Sequence, residues 1–309
     1  PVCDLFGGRY RDRLPVYWSH CGTYRIRDPK LFETEAGVTP IRTVDDLVTM
    51  GQEVVRRGFK ALKTNPIMFD GPSPAQHRPG FSGLAGSPEL HLTGRVLAGI
   101  EDQLAAFRQG IGPDAGLLMD LNFNFRPEGF KRIAKAAEKY DLTWLEIDTY
   151  IPEALADIRR STTTPIASLE TIYHRRKMLP FLHQQAVDFA IIDPQWAGFM
   201  EALRMASLAD MFDVNVASHD AHGYLSSLMG AHLCAAIPNF RIMEFDVDEV
   251  PWMNDIVTSA PQIENGELVV PTAPGWGADI NEEAVLAHPP TNVGAAQWML
   301  DWHRARGHA

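Results

Sequence analysis

Eight short apolar runs, each followed by a stretch of helical periodicity, constrain this chain more than any other feature. The runs are residues 14–20 (LPVYWSH), 59–65 (FKALKTN), 116–124 (GLLMDLNFN), 143–148 (TWLEID), 165–170 (PIASLE), 187–193 (VDFAIID), 214–219 (VNVASH) and 240–246 (FRIMEFD). Among the segments between them, 45–57 carries Leu47, Met50, Val54 and Val55, and 90–109 carries Leu97, Ile100, Leu104 and Phe107. Further helices are expected over 128–140, 152–160, 172–184, 196–211 and 222–237. Strands that alternate with helices pair in parallel, because each right-handed crossover needs a helix to cover it. Near-continuous apolar strands are covered on both faces. Eight such units in about 230 residues predict an α/β fold of the (β/α)8 TIM-barrel type. A doubly wound sheet would carry a Gly-rich turn after its first strand, and Gly7-Gly8 lies before it.

The remaining sequence sets the boundaries. Residues 1–13 read as a join, 14–246 as the barrel, and 247–309 as a closing segment with a β-ribbon at Asn265-Gly266 and a polar tail. Residues 66–89, rich in Pro, Gly and Ser, follow the second strand and form a long loop at the catalytic rim. With 28 Lys and Arg against 39 Asp and Glu, the formal charge is -11. Such a chain is repelled by phosphate backbones and anionic lipid, which argues against nucleic-acid and membrane partners. No apolar run of about 18 residues exists to span a bilayer. The N-terminus lacks the build of a signal peptide. Cys3, Cys21 and Cys234 form no CxxC pair, which fits a reducing cytoplasm.

What ends each strand points to chemistry. Asp120, Glu146 and Glu170 close the third, fourth and fifth runs at separations of 26 and 24 residues, one βα unit each. In a barrel the C-terminal strand ends converge on one mouth, so three carboxylates would meet there. Unpaired, they repel and resist desolvation; a hard divalent cation such as Mg²⁺ removes that conflict. Asp193 and His219 end the sixth and seventh runs, and the Asp can fix the imidazole's tautomer and raise its basicity. Glu244 ends the eighth run and, if protonated, can hold a substrate carboxylate. Lys63 and Asn65 share one strand face, as do Asp120 and Asn122. Lys63 would stabilise a bound anion, and Asn122 could bond a substrate hydroxyl. His20, at the end of the first strand, is a further candidate for substrate contact. His222 reads more readily as a helix cap or a surface residue.

A cation site and a base beside an anion pocket suit removal of a proton α to a carboxylate, where negative charge develops on the carboxylate oxygens. Enolase-superfamily sites, which combine a Lys or His base with Mg²⁺, are a known instance of that pairing. The motifs GFKALKT, MDLN, WLEID, PIASLE, AIIDP, ASHDAHG, IMEFD and GELVVPTAPGWGADINEE resemble, in this order, those of the mandelate racemase branch of that superfamily. The resemblance implies Asp120, Glu146 and Glu170 as Mg²⁺ ligands. It implies His219 as base, oriented by Asp193, with Glu244 assisting the substrate carboxylate. Lys63 matches the first lysine of the family's paired-lysine motif.

The departures carry information. Asn65 replaces the second lysine, the base on the opposite substrate face. Dehydration of an acid sugar, an aldonate or aldarate, to a 2-keto-3-deoxy acid is therefore favoured over racemisation or epimerisation. Asn122 stands where some acid-sugar dehydratases of this branch place a histidine acid. Ile147-Asp148 replaces the usual Glu-Pro after the second ligand, and Leu169 a common Gly before the third; both leave the ligands intact. Family members carry an α+β capping domain ahead of the barrel. Here the chain starts at the join, so the cap is expected either to be missing from a truncated chain or to be a separate polypeptide. The barrel surface it would cover favours self-association, so a homo-oligomer is expected. A metallohydrolase is disfavoured, since no HxH pair ends the first strand; a non-catalytic barrel remains the third alternative.

Overall fold

The computed structural model of the protein describes residues 1–81, 90–248 and 250–289. The eight runs become β1 (Arg13–Ser19), β2 (Ala61–Thr64), β3 (Gly116–Asp120), β4 (Trp144–Glu146), β5 (Ile166–Ser168), β6 (Phe189–Ile192), β7 (Asn215–Ser218) and β8 (Met243–Asp246). Neighbours run parallel, with Trp18 opposite Leu62, Lys63 opposite Leu118 and Asp120 opposite Glu146. The ring closes where Tyr17 of β1 meets Glu244 of β8, and a parallel bridge from Val216 to Phe240 joins β7 to the approach of β8. The predicted TIM-type barrel is the observed fold.

Seven helices cover the outside: α1 (Val44–Arg56), α2 (Gly94–Ile111), α3 (Pro127–Ala137), α4 (Pro152–Arg160), α5 (Arg175–His183), α6 (Phe199–Asp210) and α7 (Tyr224–Ala236). α1 starts at Thr43, whose side chain and that of Asp46 cap each other's backbone N–H groups, and it buries Leu47, Met50 and Val54. α1 and α2 cross closely through Gly51 and Gly110; a Cβ on Gly110 would lie 2.4 Å from the Val48 carbonyl oxygen. Two helix expectations change. The helix expected from residue 196 is interrupted by Gly198 at φ 79, so a short turn at Pro194–Ala197 precedes α6. The one expected from residue 172 begins only at Arg175.

Two apolar layers result from the strand period. One residue from each strand region fills the lumen: Tyr17, Ala61, Leu118, Trp144, Ala167, Ile191, Ala217 and Ile242. Their neighbours Trp18, Leu62, Leu117, Leu145, Ile166, Ile192, Val216 and Met243 pack outward under the helices. Because successive side chains alternate, the residue two beyond each lumen position faces the mouth. That rule gives Ser19, Lys63, Asp120, Glu146, Asp193, His219 and Glu244. β5 alone breaks it. Leu169, two beyond Ala167, has φ 95, packs into the outer layer and passes the mouth position to Glu170.

Below β1 a ribbon, Ile263–Glu264 with Glu267–Val269, pairs antiparallel to the strand's first residues. Its turn is Asn265-Gly266, both at positive φ, as expected from the sequence. The Pro/Gly/Ser-rich loop contains a small hairpin, Ile67–Met68 with Ala75–Gln76, which composition did not announce. The remainder of that loop, residues 82–89, and the polar tail from 290 lie outside the described residues. No helix among the described residues is long and apolar enough to cross a membrane.

Candidate active site

The loop after β6 fixes the first component. Asp193 caps the turn at Pro194, its Oδ1 accepting the Gln195 and Trp196 N–H groups at 2.6 and 2.8 Å. Its Oδ2 lies 2.7 Å from His219 Nδ1. A carboxylate only accepts, so Nδ1 carries the hydrogen and Nε2 is left as the basic nitrogen. Nε2 faces Glu170, 3.5 Å from its Oε2. Burial alone would lower the His219 pKa, but the carboxylates of Glu170, Asp193 and Glu244 hold it well above the usual histidine value. Asp193 is the reverse case: burial would raise it, and the two imidazoles with the Trp196 N–H hold it far below the usual carboxylate range. Trp196 covers the pair, with ring centroids 4.9 Å from those of both His219 and His222.

The second component is acidic. Asp120 is gripped by amides: Asn122 donates from its backbone and its side chain at 2.8 and 2.7 Å, and Asn65 Nδ2 donates at 3.1 Å. Asn65 is itself set by Gln103 of α2, whose Nε2 donates to its carbonyl at 2.8 Å. Burial, then the Glu146 charge, pushes the Asp120 pKa up to about 6. Burial and the neighbouring Asp148 push Glu170 well above its usual value. Glu146 Oε2 accepts from Lys63 at 3.0 Å and from the Trp144 indole at 3.3 Å. Its Oε1, like both oxygens of Asp148, is buried with no hydrogen-bond partner among the described residues. Orphaned carboxylate oxygens in a cluster of raised acids are the donor set of a hard divalent cation, so the residues fit Mg²⁺.

One trio of potential ligands among the described residues, Asp193, His219 and His222, has ligand atoms all within 4.8 Å of one another. Asp120, Glu146, Asp148 and Glu170 form no trio this tight among the described residues. The tighter trio is the base pair with one added imidazole, and His219 Nδ1 already engages Asp193.

The third component is a closed charge network under the mouth. Lys63 Nζ sits 3.0 Å from Glu146 Oε2 and 2.8 Å from Glu244 Oε1. Burial would lower the Lys63 pKa, but Glu146 and Glu244 hold it well above normal. Glu244 also accepts from the Ser19 hydroxyl and, at 2.9 Å, from the Asp220 N–H. The expected hold on a substrate carboxylate was conditional on a protonated Glu244. Burial favours protonation, yet Lys63, His219 and His20 outweigh it and keep the carboxyl ionised. Lys63 accordingly meets two carboxylates rather than standing free for an incoming anion.

His20 Nδ1 pairs with Asp246 at 2.8 Å and its ring stacks on Tyr24. Sequence reasoning missed two residues here. His222, expected at a helix cap or on the surface, places Nε2 3.3 Å from Asp193 Oδ2, within ion-pair reach though off hydrogen-bond geometry. Asp148, taken as a change that leaves the ligands intact, lies inside the acid cluster; its spacing of two from Glu146 was the available signal.

Fold and site together define a class: a (β/α)8 barrel that sets a histidine–aspartate pair against strand-end carboxylates. A family model, Enolase C-terminal domain-like, matches residues 46–284. The chain belongs to the enolase superfamily, in its mandelate racemase/muconate lactonizing enzyme branch. The D-xylonate dehydratase of Haloferax volcanii is 30% identical over 293 residues, covering 93% of this chain and 64% of that protein. The chain thus spans just under two thirds of that relative's length. A Burkholderia xenovorans LB400 crystal structure, provisionally described as an L-alanine-DL-glutamate epimerase, is 43% identical with a TM-score of 0.90, over 95% of this chain and 73% of that one. A second structure under the same description holds magnesium and fumarate, with 43% identity and a TM-score of 0.89 over 94% and 71% of the two chains. A mandelate racemase/muconate lactonizing enzyme-like protein from Rubrobacter xylanophilus is 29% identical with a TM-score of 0.76, over 94% of this chain and 72% of that one.

Proposed function

We propose that this chain is the catalytic barrel of a Mg²⁺-dependent acid-sugar dehydratase, a hydro-lyase acting on an aldonate or aldarate. The observation that carries the reading is the His219–Asp193 pair, whose Nε2 faces Glu170 of the acid cluster. Asp120, Glu146 and Glu170 would hold the cation, which supplies positive charge beside the substrate carboxylate as negative charge grows there. The Burkholderia structure bound to magnesium and fumarate supports a divalent cation and a carboxylate ligand in this fold.

His219 Nε2 takes the α-proton, and the C–H electron pair moves toward the carboxylate. Asp193 fixes the ring and stabilises the imidazolium that forms. The same imidazolium, on the same face, returns its proton to the β-hydroxyl as the C–O bond breaks, and water leaves. The resulting enol tautomerises to the 2-keto-3-deoxy acid, so one water is lost and no oxidant is needed. Trp196 shields the pair from bulk water. Asn65 cannot accept a proton from carbon, which sets this reading above two-base racemisation.

The epimerase description of the Burkholderia protein keeps isomerisation as the second reading. The test is a panel of aldonates and aldarates offered to the full-length protein in deuterated water. Formation of a keto acid from one panel member supports dehydration. A recovered, unshortened substrate with an inverted α-carbon and no keto acid would assign the isomerase instead.

A further inference from the structure

We propose that Asp148 is a direct ligand of the divalent cation, a fourth carboxylate beside Asp120, Glu146 and Glu170; the inference rests on the cation site of the preceding section. Three observations carry it. The backbone fixes where the side chain goes: beyond β4, the Ile147 N–H donates to the Ala167 carbonyl at 3.0 Å and the Asp148 N–H to the Asn122 carbonyl at 3.1 Å. One backbone hydrogen bond beyond the strand's last residue, Glu146, thus ties Asp148 to the segment after β3. Ile147 packs into the outer layer, so Asp148 faces the mouth on the side of Glu146.

The second observation is its isolation. Asp148 is 3% exposed, and neither carboxylate oxygen has a hydrogen-bond partner among the described residues. A neutral carboxyl would need an acceptor for its O–H, and an ionised one needs donors or a cation; the backbone around it supplies neither. The third is the division of labour within β4. Glu146 has one oxygen held by Lys63 and Trp144, which leaves Oε1 alone for a metal. Asp148 brings two more. A divalent cation is the partner whose charge and preference for oxygen suit these unpartnered oxygens.

The test measures metal binding, not turnover. Mn²⁺ is titrated into the full-length protein and its free fraction followed by electron paramagnetic resonance. The proteins compared are the parent, Asp120→Asn, Asp148→Asn and Asp220→Asn, the last a second buried acid with unpartnered oxygens, beside Glu244, that controls for the loss of any buried carboxyl. Asp148→Asn is expected to weaken Mn²⁺ about tenfold or more, matching Asp120→Asn, while Asp220→Asn stays within about threefold. If Asp120→Asn weakens binding and Asp148→Asn leaves it near the parent value, this inference fails and the cation site stands; Asp148 then faces substrate. If neither matters, the cation site fails as well. An equal loss in Asp220→Asn would reduce the effect to the loss of any buried carboxyl and also reject direct ligation. Asp148→Cys is the second arm, and it decides alone if the asparagine variant does not fold. Cd²⁺ should produce a sulfur-to-metal charge-transfer band that the parent lacks, and no such band means no ligation at this position.

Discussion

Two strands of the barrel end in the same pattern, Glu-x-Asp: Glu146-Ile147-Asp148 on β4 and Glu244-Phe245-Asp246 on β8. On β8 every carboxylate oxygen is met. Glu244 accepts from Ser19, Lys63 and the Asp220 N–H, while Asp246 pairs with His20 and accepts from Tyr24 at 2.9 Å. On β4 three of the four oxygens meet nothing among the described residues. The difference lies in the neighbours. β8 is flanked by β1, which supplies Ser19 and His20, with Lys63 one strand further. β4 is flanked by β3 and β5, which supply more acid. One half of the mouth neutralises its own charge; the other is built for a ligand.

The largest expected effect tests the self-sufficient half. Lys63→Met strips a buried cation from two buried carboxylates and should cost about 3–5 kcal/mol in urea unfolding of the metal-free protein. A loss near zero would mean that Glu244 and Glu146 find other partners, and the contrast with β4 would collapse. Next comes the base. His219→Asn should cut turnover about a thousandfold while Mn²⁺ affinity stays within a few-fold, since the imidazole is not a ligand. A parallel fall in metal affinity would place His219 in the ligand set.

Mg²⁺ should stabilise the parent by about 2.7 kcal/mol at a hundredfold excess over its dissociation constant. Glu170→Gln should lose most of that gain, read as the shift in Tm with and without EDTA. A gain unchanged in Glu170→Gln would remove that residue from the site. The smallest effect is on pH. Asp193 raises the His219 pKa, so removing its charge in Asp193→Asn lets that pKa fall. Activity is lost when His219 is protonated as pH drops, so the acid limb of kcat/KM should move to lower pH, by about one unit. A limb that stays or moves upward would show that another group sets the profile.

The barrel was legible because buried parallel strands carry unmistakable apolar runs, and the period of two then names most of the mouth. Seven mouth residues follow from counting two beyond a lumen residue. Glu170 does not, since the count points to Leu169; only a left-handed backbone, which few L-residues adopt, brings the acid around. His222 was hidden because its approach to Asp193 depends on the loop from Asp220 to Gly223. Asp148 was visible as a replacement but not as an orphan, because its lack of partners is a property of the flanking strands. The charge state of Glu244 was left open for the same reason: it is governed by Lys63, far away in sequence.

Leu169 ties these observations together. Its φ of 95 belongs to a region that costs an L-residue about 1–3 kcal/mol, yet its side chain is fully packed in the outer layer. Glycine would relax the backbone and surrender the anchor, leaving the arm that carries Glu170 free to swing. Emptying a buried leucine site costs about 2–5 kcal/mol, so the packing outweighs the strain and the same side chain that stabilises the outer layer holds Glu170 on target.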